Sequence, residues 1–259
     1  MAFLQNLLTR QPLRDESASL AIFPDDCFLV SYPKSGNTWV RFLLANLICP
    51  PGAEIDFRTV HQFVPEAGRQ NDIAQAMTRP RILKSHATFQ KDFPRVVYLL
   101  RDGRDAYVSY YHYRLLALSA GTTFAEFLGP LIRSNNRWSR HVNSWLEQSH
   151  SGQQVLLVRY EGLLSDPLAE LKRIVSFVGL ERNLEQMEAA IQRSSFETMR
   201  RLEEERGRLF EKVEGGALFT RKGVAGGWVD FFGAREKELC KAFDGETLLK
   251  FGYVSSHDW

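Results

Sequence analysis

The stretch CFLVSYPKSGNTWVRFLLANLI, residues 27–48, places a polar, glycine-containing loop between two apolar runs. The first run, residues 27–32, is short and apolar on both faces, which is typical of a central parallel strand. The second run begins at Trp39 and must end before the Cys-Pro-Pro-Gly sequence at 49–52, which predicts a helix that follows Asn37. A loop that follows a strand and opens a helix suits an anion, because the N–H groups at a helix N-terminus carry partial positive charge.

The residues of this loop have the chemistry of a phosphate loop in an unusual order. Gly36 permits close approach of the backbone, and Lys34 supplies a point charge. Ser35, Asn37 and Thr38 add polar contacts and can cap the helix. A Walker A loop has the form G-x-x-x-x-G-K-[ST], whereas here Lys34 precedes Gly36 and residues 28–33 contain no glycine. This order disfavours a standard ATP or GTP enzyme, and a plain strand–helix turn remains an alternative for the loop alone.

Strand-like and helix-like patterns alternate along the rest of the chain. Further strand-like runs occur at 81–85, 95–100 and 154–160, and helical patterns near 105–118, 134–149, 167–178 and 183–193. The alternation predicts an α/β fold in which a central parallel β-sheet is flanked by helices. Ligands of such sheets bind beyond the carboxyl ends of the strands. Two regions break the alternation: residues 52–80 are polar with little periodicity, and residues 200–216 are densely charged, which favours a solvated helix face.

Composition sets outer limits on function. The chain has 259 residues, 44% hydrophobic and 25% charged, and a net charge of +2, which is too mild to indicate a nucleic-acid partner. The three cysteines, at 27, 49 and 240, have no metal-ligand spacing and are expected to be buried reduced thiols. No run approaches the roughly 20 apolar residues of a membrane span, and the N-terminus is too interrupted for a secretory signal. We therefore expect a cytoplasmic protein with a single domain over residues 1–259.

A second polar cluster follows another predicted strand, in RVVYLLRDGRDAYVSYYHYR at 95–114. Arg101 ends the strand, and Ser109 lies eight residues later, in the first turns of a helix that starts near Asp105. A guanidinium fork together with a hydroxyl suits a terminal phosphate. The alternative is that Arg101, Asp102, Arg104 and Asp105 pair among themselves at a surface turn.

A third cluster is glycine-rich: FTRKGVAGGWVDFF at 219–232. Its three glycines within five residues rule out a stable helix interior. The segment is therefore predicted to be a loop that can wrap a ligand with its backbone N–H groups. Arg221 and Lys222 would add positive charge, and a flexible surface loop is the alternative.

These segments, in this chain order, resemble the sulfotransferases that use 3′-phosphoadenylyl sulfate (PAPS). YPKSGNTW is similar to their 5′-phosphosulfate loop, usually written YPKSGTTW, with Asn37 in place of a threonine. RKGVAGGW is similar to their R-K-G-x-x-G-D-W segment, which closes over the 3′-phosphate, with Gly227 in place of the aspartate. The resemblance covers residues 25–255. It implies the P-loop-like, nucleotide-kinase-like sulfotransferase architecture, with PAPS as co-substrate and PAP as product.

The resemblance also implies which residues bind the donor. VRYEGLLSDP at 158–167 is similar to the family's Y-E-D-x-x-x-D-P, and SSFETM at 194–199 is similar to its T-S-F-x-x-M. The implied residues are Lys34, Ser35, Gly36, Asn37 and Thr38 for the 5′-phosphosulfate, Arg101, Ser109, Arg221, Lys222 and Gly223 for the 3′-phosphate, and Trp39, Tyr160, Ser194 and Phe196 for adenine.

His86 is the expected catalytic base. In RILKSHATF at 81–89 it follows a predicted strand and so lies at the ligand-binding edge, although by position alone a histidine is more often structural. The segment resembles the family's K-[ST]-H, which implies that His86 removes the proton of the acceptor hydroxyl. The resemblance further implies that Lys34 stabilises the leaving phosphate oxygen, that Lys84 assists at the transferring group, and that Ser109 restrains Lys34 until an acceptor arrives.

The sequence leaves the acceptor and the assembly open. The acceptor is expected to be a hydroxyl or amine of a small molecule, a carbohydrate or a lipid, bound by segments 52–80, 110–130 and 200–220. No obvious carboxylate pair accompanies the loops, so no metal is predicted. Of the family's dimer motif K-x-x-x-T-V-x-x-x-E only Glu238 is retained, which puts that dimer in doubt. The alternatives are a nucleotide or small-molecule kinase with a degenerate phosphate loop, and a catalytically silent nucleotide-binding protein.

Overall fold

The computed structural model describes residues 20–115, 118, 121–148, 152–207 and 223–259. In chain order the elements are β1 (Cys27–Ser31), α1 (Asn37–Ile48), α2 (Val60–Phe63), α3 (Asn71–Ala76), β2 (Ile82–Ser85), β3 (Arg95–Leu100), α4 (Gly103–Arg114), α5 (Phe124–Arg133), α6 (Trp138–Leu146), β4 (Gln154–Arg159), α7 (Tyr160–Ser165), α8 (Pro167–Val178), α9 (Leu184–Arg193), α10 (Phe196–Arg206), a 3-10 helix (Gly227–Asp230) and α11 (Ala234–Lys250). In this part of the chain, no helix combines the length and the apolar content that a membrane crossing requires.

The four strands form one parallel sheet in the order β2-β1-β3-β4. The strand β1 lies between β2 and β3, and its residue Val30 is paired with Ser85 of β2 on one side and with Tyr98 of β3 on the other. The predicted α/β class with a parallel sheet is confirmed. Since all strands run the same way, the residues that follow their carboxyl ends meet along one edge, which is where ligands of such sheets bind.

Both faces of the sheet are buried, because alternate strand residues pack into two separate cores. Phe28 and Val30 belong to a core that includes side chains of α4, α5, α6 and α11. Cys27 and Leu29 belong to a second core, with side chains of α1, α8 and α9. This two-sided burial explains why the strands read as continuous apolar runs instead of alternating ones.

Local signals place several helix ends where the sequence predicted them. The helix after the first loop, α1, ends at Ile48, and Cys49 is already extended ahead of Pro50. Helix α8 begins with Pro167 behind an Asp166 cap and stops at Gly179, whose φ of 76° is left-handed. The helix predicted near 105–118 begins earlier, at Gly103, because the Asp102 side chain accepts a hydrogen bond from the Arg104 N–H.

Three regions differ from the sequence prediction. Segment 52–80 contains the short helices α2 and α3, and segment 110–130, expected to be an acceptor loop, contains the start of α5. Helix α5 opens with a reciprocal capping box between Thr123 and Glu126, a pattern that the sequence contains as Thr-Phe-Ala-Glu at 123–126. The helix predicted at 134–149 is shorter, at Trp138–Leu146, and α11 was not predicted.

The charged segment that starts near residue 200 is a solvated helix face as far as the structure describes it. Helix α10 ends at Arg206 and carries two exposed i,i+4 ion pairs, Arg200–Glu204 and Arg201–Glu205. The remainder of that segment, from residue 208, lies outside the described residues.

Candidate active site

The loop after β1 has a constrained backbone. Lys34 has a φ of 69°, the left-handed region that costs a non-glycine residue roughly 1–3 kcal/mol. Gly36 has a φ of 93°, and a Cβ there would lie 2.6 Å from Cδ2 of Tyr160. Glycine was predicted here to let a ligand approach the backbone. The structure adds a second reason, because the ring of Tyr160 is already packed on the loop.

The side chains of the loop separate into an inward and an outward set. Ser35 is fully buried, and its Oγ has no hydrogen-bond partner among the described residues. Asn37 is also buried, and its Nδ2 donates to the Leu29 carbonyl oxygen at 3.1 Å and to Ser31 Oγ at 3.2 Å. Thr38 and Trp39 are partly exposed. The side-chain donor of Asn37 is thus used on β1, so only its backbone N–H is left for the predicted phosphate contact.

Lys34 extends toward α4. Its Nζ lies 4.5 Å from the ring centroid of Tyr113. Ser109 precedes Tyr113 by four residues and therefore lies on the same face of α4, where it is partly buried. The predicted proximity of Lys34 and Ser109 is compatible with this arrangement.

Arg101, directly after β3, connects the first loop with the glycine-rich loop. Its Nη1 donates to the Lys34 carbonyl oxygen and its Nη2 to that of Val224, both at 3.0 Å. The guanidinium carbon lies 4.3 Å from the ring centroid of Tyr160, which in turn meets Trp39 edge to face at 6.0 Å. The Nε of Arg101 is buried without a hydrogen-bond partner in the described chain. The structure therefore brings Arg101, Tyr160 and Trp39 together around the loop.

The glycine-rich loop is held by a residue that the sequence did not single out. The carboxylate of Asp105 accepts from the Gly226 N–H at 2.7 Å and from the Trp228 N–H at 2.9 Å. Burial raises the pKa of Asp105, and the charge of Arg101 opposes that rise. Of the four charges at the start of α4, only Arg104 and Asp102 form the ion pair that the alternative interpretation expected, at 2.7 Å and almost fully buried.

The remaining nucleotide-binding candidates occupy different environments. Gly223 has a φ of 62°, and a Cβ there would lie 2.9 Å from Cδ2 of Phe196, so these two predicted residues are in contact. Ser194 is fully buried, and its Oγ accepts a hydrogen bond from Asn46 Nδ2 at 3.2 Å. Its position shows a packing role, and its contact with adenine stays a prediction. Arg221 and Lys222 lie outside the described residues.

Lys84 is paired with a carboxylate from the polar segment 52–80, which was expected to bind the acceptor. Its Nζ lies 2.8 Å from Oε2 of Glu66, and both side chains are about one-tenth exposed. Burial lowers the pKa of Lys84, while Glu66 counteracts that effect. Burial also disfavours the ionised form of Glu66, but Lys84, His86 and Arg69 outweigh it and lower the pKa of Glu66 to about 2. Glu66 is therefore ionised at neutral pH, and its charge favours the protonated form of Lys84.

His86, one residue past β2, is held in one orientation. Its Nδ1 lies 2.7 Å from the Ser31 carbonyl oxygen, and since a carbonyl can only accept, Nδ1 carries the proton. Its own carbonyl oxygen lies 3.2 Å from Nε2 of His141. Burial and the charge of Lys84 lower the pKa of His86 to about 3. The imidazole is therefore neutral at physiological pH, and Nε2 carries a lone pair.

Together these residues form one site along the carboxyl edge of the sheet. One end holds a neutral histidine beside a buried lysine–glutamate pair, and the other holds Arg101, an anion-type loop and aromatic rings. Among the residues that the structure describes, no group of three or more His, Cys, Asp or Glu side chains has the arrangement of a metal site. In this arrangement the neutral imidazole of His86 can accept a proton at one end of the site, and the loop after β1 with Arg101 favours an anion at the other end.

Comparison with known proteins identifies the family. The sulfotransferase domain model matches residues 24–252. Sulfotransferase 1A1 of Bos taurus is 29% identical over 248 residues, which cover 86% of this chain and 83% of that protein. Sulfotransferase 1C2 of Homo sapiens is 27% identical over 241 residues, which cover 83% and 80%.

Solved structures share the fold. Mouse sulfotransferase SULT7A1 complexed with PAP matches with a TM-score of 0.67 and 23% identity, covering 93% of this chain and 91% of that one. Retinol dehydratase in complex with retinol and PAP matches with a TM-score of 0.64 and 22% identity, covering 95% and 86%. The domain match spans most of the chain, and the loops occur in the predicted order at the predicted edge of the sheet. The chain therefore belongs to the sulfotransferase domain family, whose members are PAPS-dependent enzymes.

Proposed function

We propose that this protein transfers the sulfuryl group of PAPS to a hydroxyl or amine of an acceptor molecule and releases PAP. The observation that carries the proposal is the protonation state of His86, which is neutral with its proton on Nδ1. The hydrogen bond from Nδ1 to the Ser31 carbonyl oxygen leaves Nε2 as a lone-pair acceptor, beside Lys84 and at the same edge as the anion-type loop. A neutral base next to an anion site is what sulfuryl transfer to a hydroxyl requires.

The residues present fit the nucleotide donor. Ser35 Oγ and Arg101 Nε are buried without hydrogen-bond partners in the described structure, and a bound phosphate group would supply the acceptors they lack. The N–H groups at the start of α1 face the same loop. PAP is bound in the matching structures of mouse sulfotransferase SULT7A1 and of retinol dehydratase, which supports the same donor here.

We assign the donor contacts by segment. Residues 34–38 would hold the 5′-phosphosulfate; Arg101, Ser109 and residues 221–223 would hold the 3′-phosphate. The aromatic rings of Trp39, Tyr160 and Phe196 would enclose the adenine.

The proposed reaction is an in-line displacement at sulfur. His86 Nε2 takes the proton of the acceptor O–H or N–H as the acceptor atom forms its bond to sulfur. The bond between sulfur and the bridging oxygen of the donor breaks, and its electron pair remains on PAP. Lys34 places positive charge near that oxygen as negative charge develops. Lys84, whose protonated form Glu66 favours, would place a second positive charge near the transferring group.

Positioning and counter-charge are the protein's main contributions, as in phosphoryl transfer. Glu66 has an additional role in this scheme, because its negative charge favours the protonated form of His86 that exists after transfer. Glu66 thus favours the protonated forms of both Lys84 and His86, whereas the charge of Lys84 opposes protonation of His86. The acceptor class stays open between small molecules, carbohydrates and lipids, and androsterone and retinol are the ligands bound in the matching retinol dehydratase structures.

The test is the variant His86→Ala, measured with ³⁵S-labelled PAPS and a panel of acceptors. Removal of a positioned base is expected to reduce turnover by about 10²–10⁴-fold. Binding of PAP, read as an increase in Tm, should be retained. His257→Ala is the control, because His257 is an exposed histidine distant in sequence from every proposed site residue.

Three outcomes would contradict the proposal. Near-normal sulfate transfer by His86→Ala would show that His86 is not the catalytic base. Stabilisation by ATP but not by PAP would favour the kinase alternative, and PAP binding without transfer to any acceptor would favour a silent nucleotide-binding protein.

A further inference from the structure

Residues 65–67 extend the edge of the sheet beside β2. Two backbone hydrogen bonds, of 2.8 Å and 2.9 Å, tie this segment to Lys84, and Glu66 is paired in parallel with the same residue. Because the pairing is parallel, the residues that follow the segment lie at the edge of the sheet where His86 follows β2. The chain turns directly after Glu66, and this turn places Arg69 at that edge.

The guanidinium of Arg69 has most of its hydrogen-bonding capacity left. Its Nε lies 3.6 Å from Glu66 Oε1, which is too long for a hydrogen bond, whereas Glu66 Oε2 is bound by Lys84 at 2.8 Å. The Arg69 side chain is 54% exposed and makes no hydrogen bond within the described part of the chain. Arg69 therefore offers a planar fork of N–H donors close to the proposed catalytic base.

Two tyrosines of α4 lie near this guanidinium. The rings of Tyr110 and Tyr113 are stacked with their centroids 6.4 Å apart, and Lys34 Nζ lies 4.5 Å from the ring centroid of Tyr113. Burial raises the pKa of Tyr110, and the charges of Arg114 and Arg69 oppose that rise. The charge of Arg69 thus reaches across to α4, and the space between them has an aromatic wall as well as a cation.

We propose that Arg69 selects acceptors in which a planar ring carries both the reacting hydroxyl and an anionic group such as a carboxylate. The fork of Arg69 donates two parallel N–H···O hydrogen bonds to the carboxylate, a geometry that a lysine cannot supply. The acceptor ring packs against Tyr110 and Tyr113, and its hydroxyl is directed to His86. This rests on the proposed function of His86 as the base.

The negative charge of Glu66 does not cancel this preference, because its carboxylate is already matched by Lys84. With Lys84 protonated, the two positive charges of Arg69 and Lys84 exceed the single negative charge of Glu66 by one. A role for Arg69 as a mere support of Glu66 would call for a hydrogen bond between them, and the distance of 3.6 Å does not provide it.

The experiment compares 4-hydroxybenzoate with 4-hydroxybenzamide, which have nearly the same shape and differ in charge. With PAPS as donor, the unaltered protein should sulfate the benzoate with the higher kcat/KM. Arg69→Gln should lower the ratio of the two kcat/KM values by about tenfold, because the carboxylate loses its charged partner. The ratio cancels a general loss of activity, so a purely structural role would leave it unchanged. Arg69→Lys, which keeps the charge but loses the fork, should recover part of the preference.

Arg173→Gln is the matched control, because Arg173 also follows its glutamate, Glu170, by three residues and is 48% exposed, on α8. That variant should leave the ratio of the two acceptors as it is in the unaltered protein. An unchanged ratio in Arg69→Gln would overturn the proposal. A preference of the unaltered protein for 4-hydroxybenzylamine would also overturn it, since Glu66 and not Arg69 would then recognise the acceptor.

Binding measurements separate this inference from the proposed function. Titration calorimetry of the PAP-loaded protein with the benzoate and the benzamide reports recognition of the acceptor without transfer. If neither compound is sulfated, the proposed function fails for these acceptors. The role of Arg69 is then still supported if the benzoate binds about tenfold more tightly than the benzamide and Arg69→Gln removes the difference. Equal affinity of the unaltered protein for the two compounds would overturn it.

Discussion

The two ends of the site satisfy their charges in different ways. At the transfer end, Lys84 meets the carboxylate of Glu66, and His86 donates to the Ser31 carbonyl oxygen. At the nucleotide end, Arg101 donates to two neutral carbonyl oxygens, those of Lys34 and Val224, and its Nε is buried without a partner among the described residues. The charges of the transfer end are therefore balanced within the chain, whereas the guanidinium of Arg101 forms no ion pair with a carboxylate among the described residues. Changes at the first end should alter stability and turnover, and changes at the second should alter donor affinity.

The largest effect is expected from breaking the ion pair of the transfer end. In Glu66→Gln the buried Lys84 loses its counter-charge, which we expect to lower the free energy of unfolding by about 3 kcal/mol at pH 7. The pKa of Glu66 in the folded protein is about 2, below its ordinary value of 4.5, so its stabilising effect is present above pH 4.5 and is lost as the pH falls through 2. Denaturant unfolding from pH 7 down to pH 2 measures both the loss of stability at pH 7 and its dependence on pH.

The difference between Glu66→Gln and the unaltered protein should therefore shrink as the pH falls below 4.5. Glu204→Gln is the matched control, because Glu204 pairs with Arg200 while both are about half exposed. That variant should change stability by less than about 0.5 kcal/mol. A Glu66→Gln protein as stable as the control variant would show that the transfer end is not pre-organised by its ion pair.

The second effect tests the nucleotide end. Arg101→Lys keeps a positive charge but loses the planar fork, so we expect the affinity for PAP to fall by about 2 kcal/mol, or roughly 30-fold, with a smaller change in kcat. Titration calorimetry with PAP measures the affinity. Arg173→Lys, at an exposed pair with Glu170, is the control. If Arg101→Lys loses turnover but keeps its PAP affinity, the nucleotide end does not control donor affinity as proposed, and the two ends do not differ in this way.

The sequence predicted the framework of the site better than its internal contacts. The strands and the loop after β1 are encoded in short stretches, and the edge of the sheet then follows from parallel strand order. Lys34, His86, Arg101 and Tyr160 all lie beyond the carboxyl end of a strand, although Tyr160 was predicted to end its strand and instead begins α7. Their ligand contacts remain predictions. These signals are local, which is why a single sequence is enough to read them.

The residues that sequence reasoning missed act across distance. Glu66 comes from a polar segment with weak periodicity and reaches Lys84, 18 residues later, by pairing beside β2. Asp105 was considered only as a partner for neighbouring charges, but it binds a loop more than 100 residues away. The family pattern suggested that Asn37 would contact phosphate, yet its side chain turns to β1 because Leu29 and Ser31 offer acceptors there. The hydrogen-bond and ion-pair partners of these side chains depend on residues that are distant in sequence, and no local sequence pattern contains that information.

The smallest effect is expected at Asp105, which holds the glycine-rich loop without contributing a positive charge to the donor. Asp105→Asn keeps one acceptor oxygen for the two N–H groups of Gly226 and Trp228, so one of these hydrogen bonds is lost. We expect PAP affinity to fall by about 1 kcal/mol, roughly fivefold, because the loop must be ordered again when the donor binds. Calorimetry should show the loss mainly as less favourable entropy, and faster hydrogen exchange at Gly226 and Trp228 should accompany it in the absence of PAP. If exchange there is unchanged and affinity rises instead, the negative charge of Asp105 acts on the donor itself, and the nucleotide end would then be governed by charge repulsion rather than by loop closure.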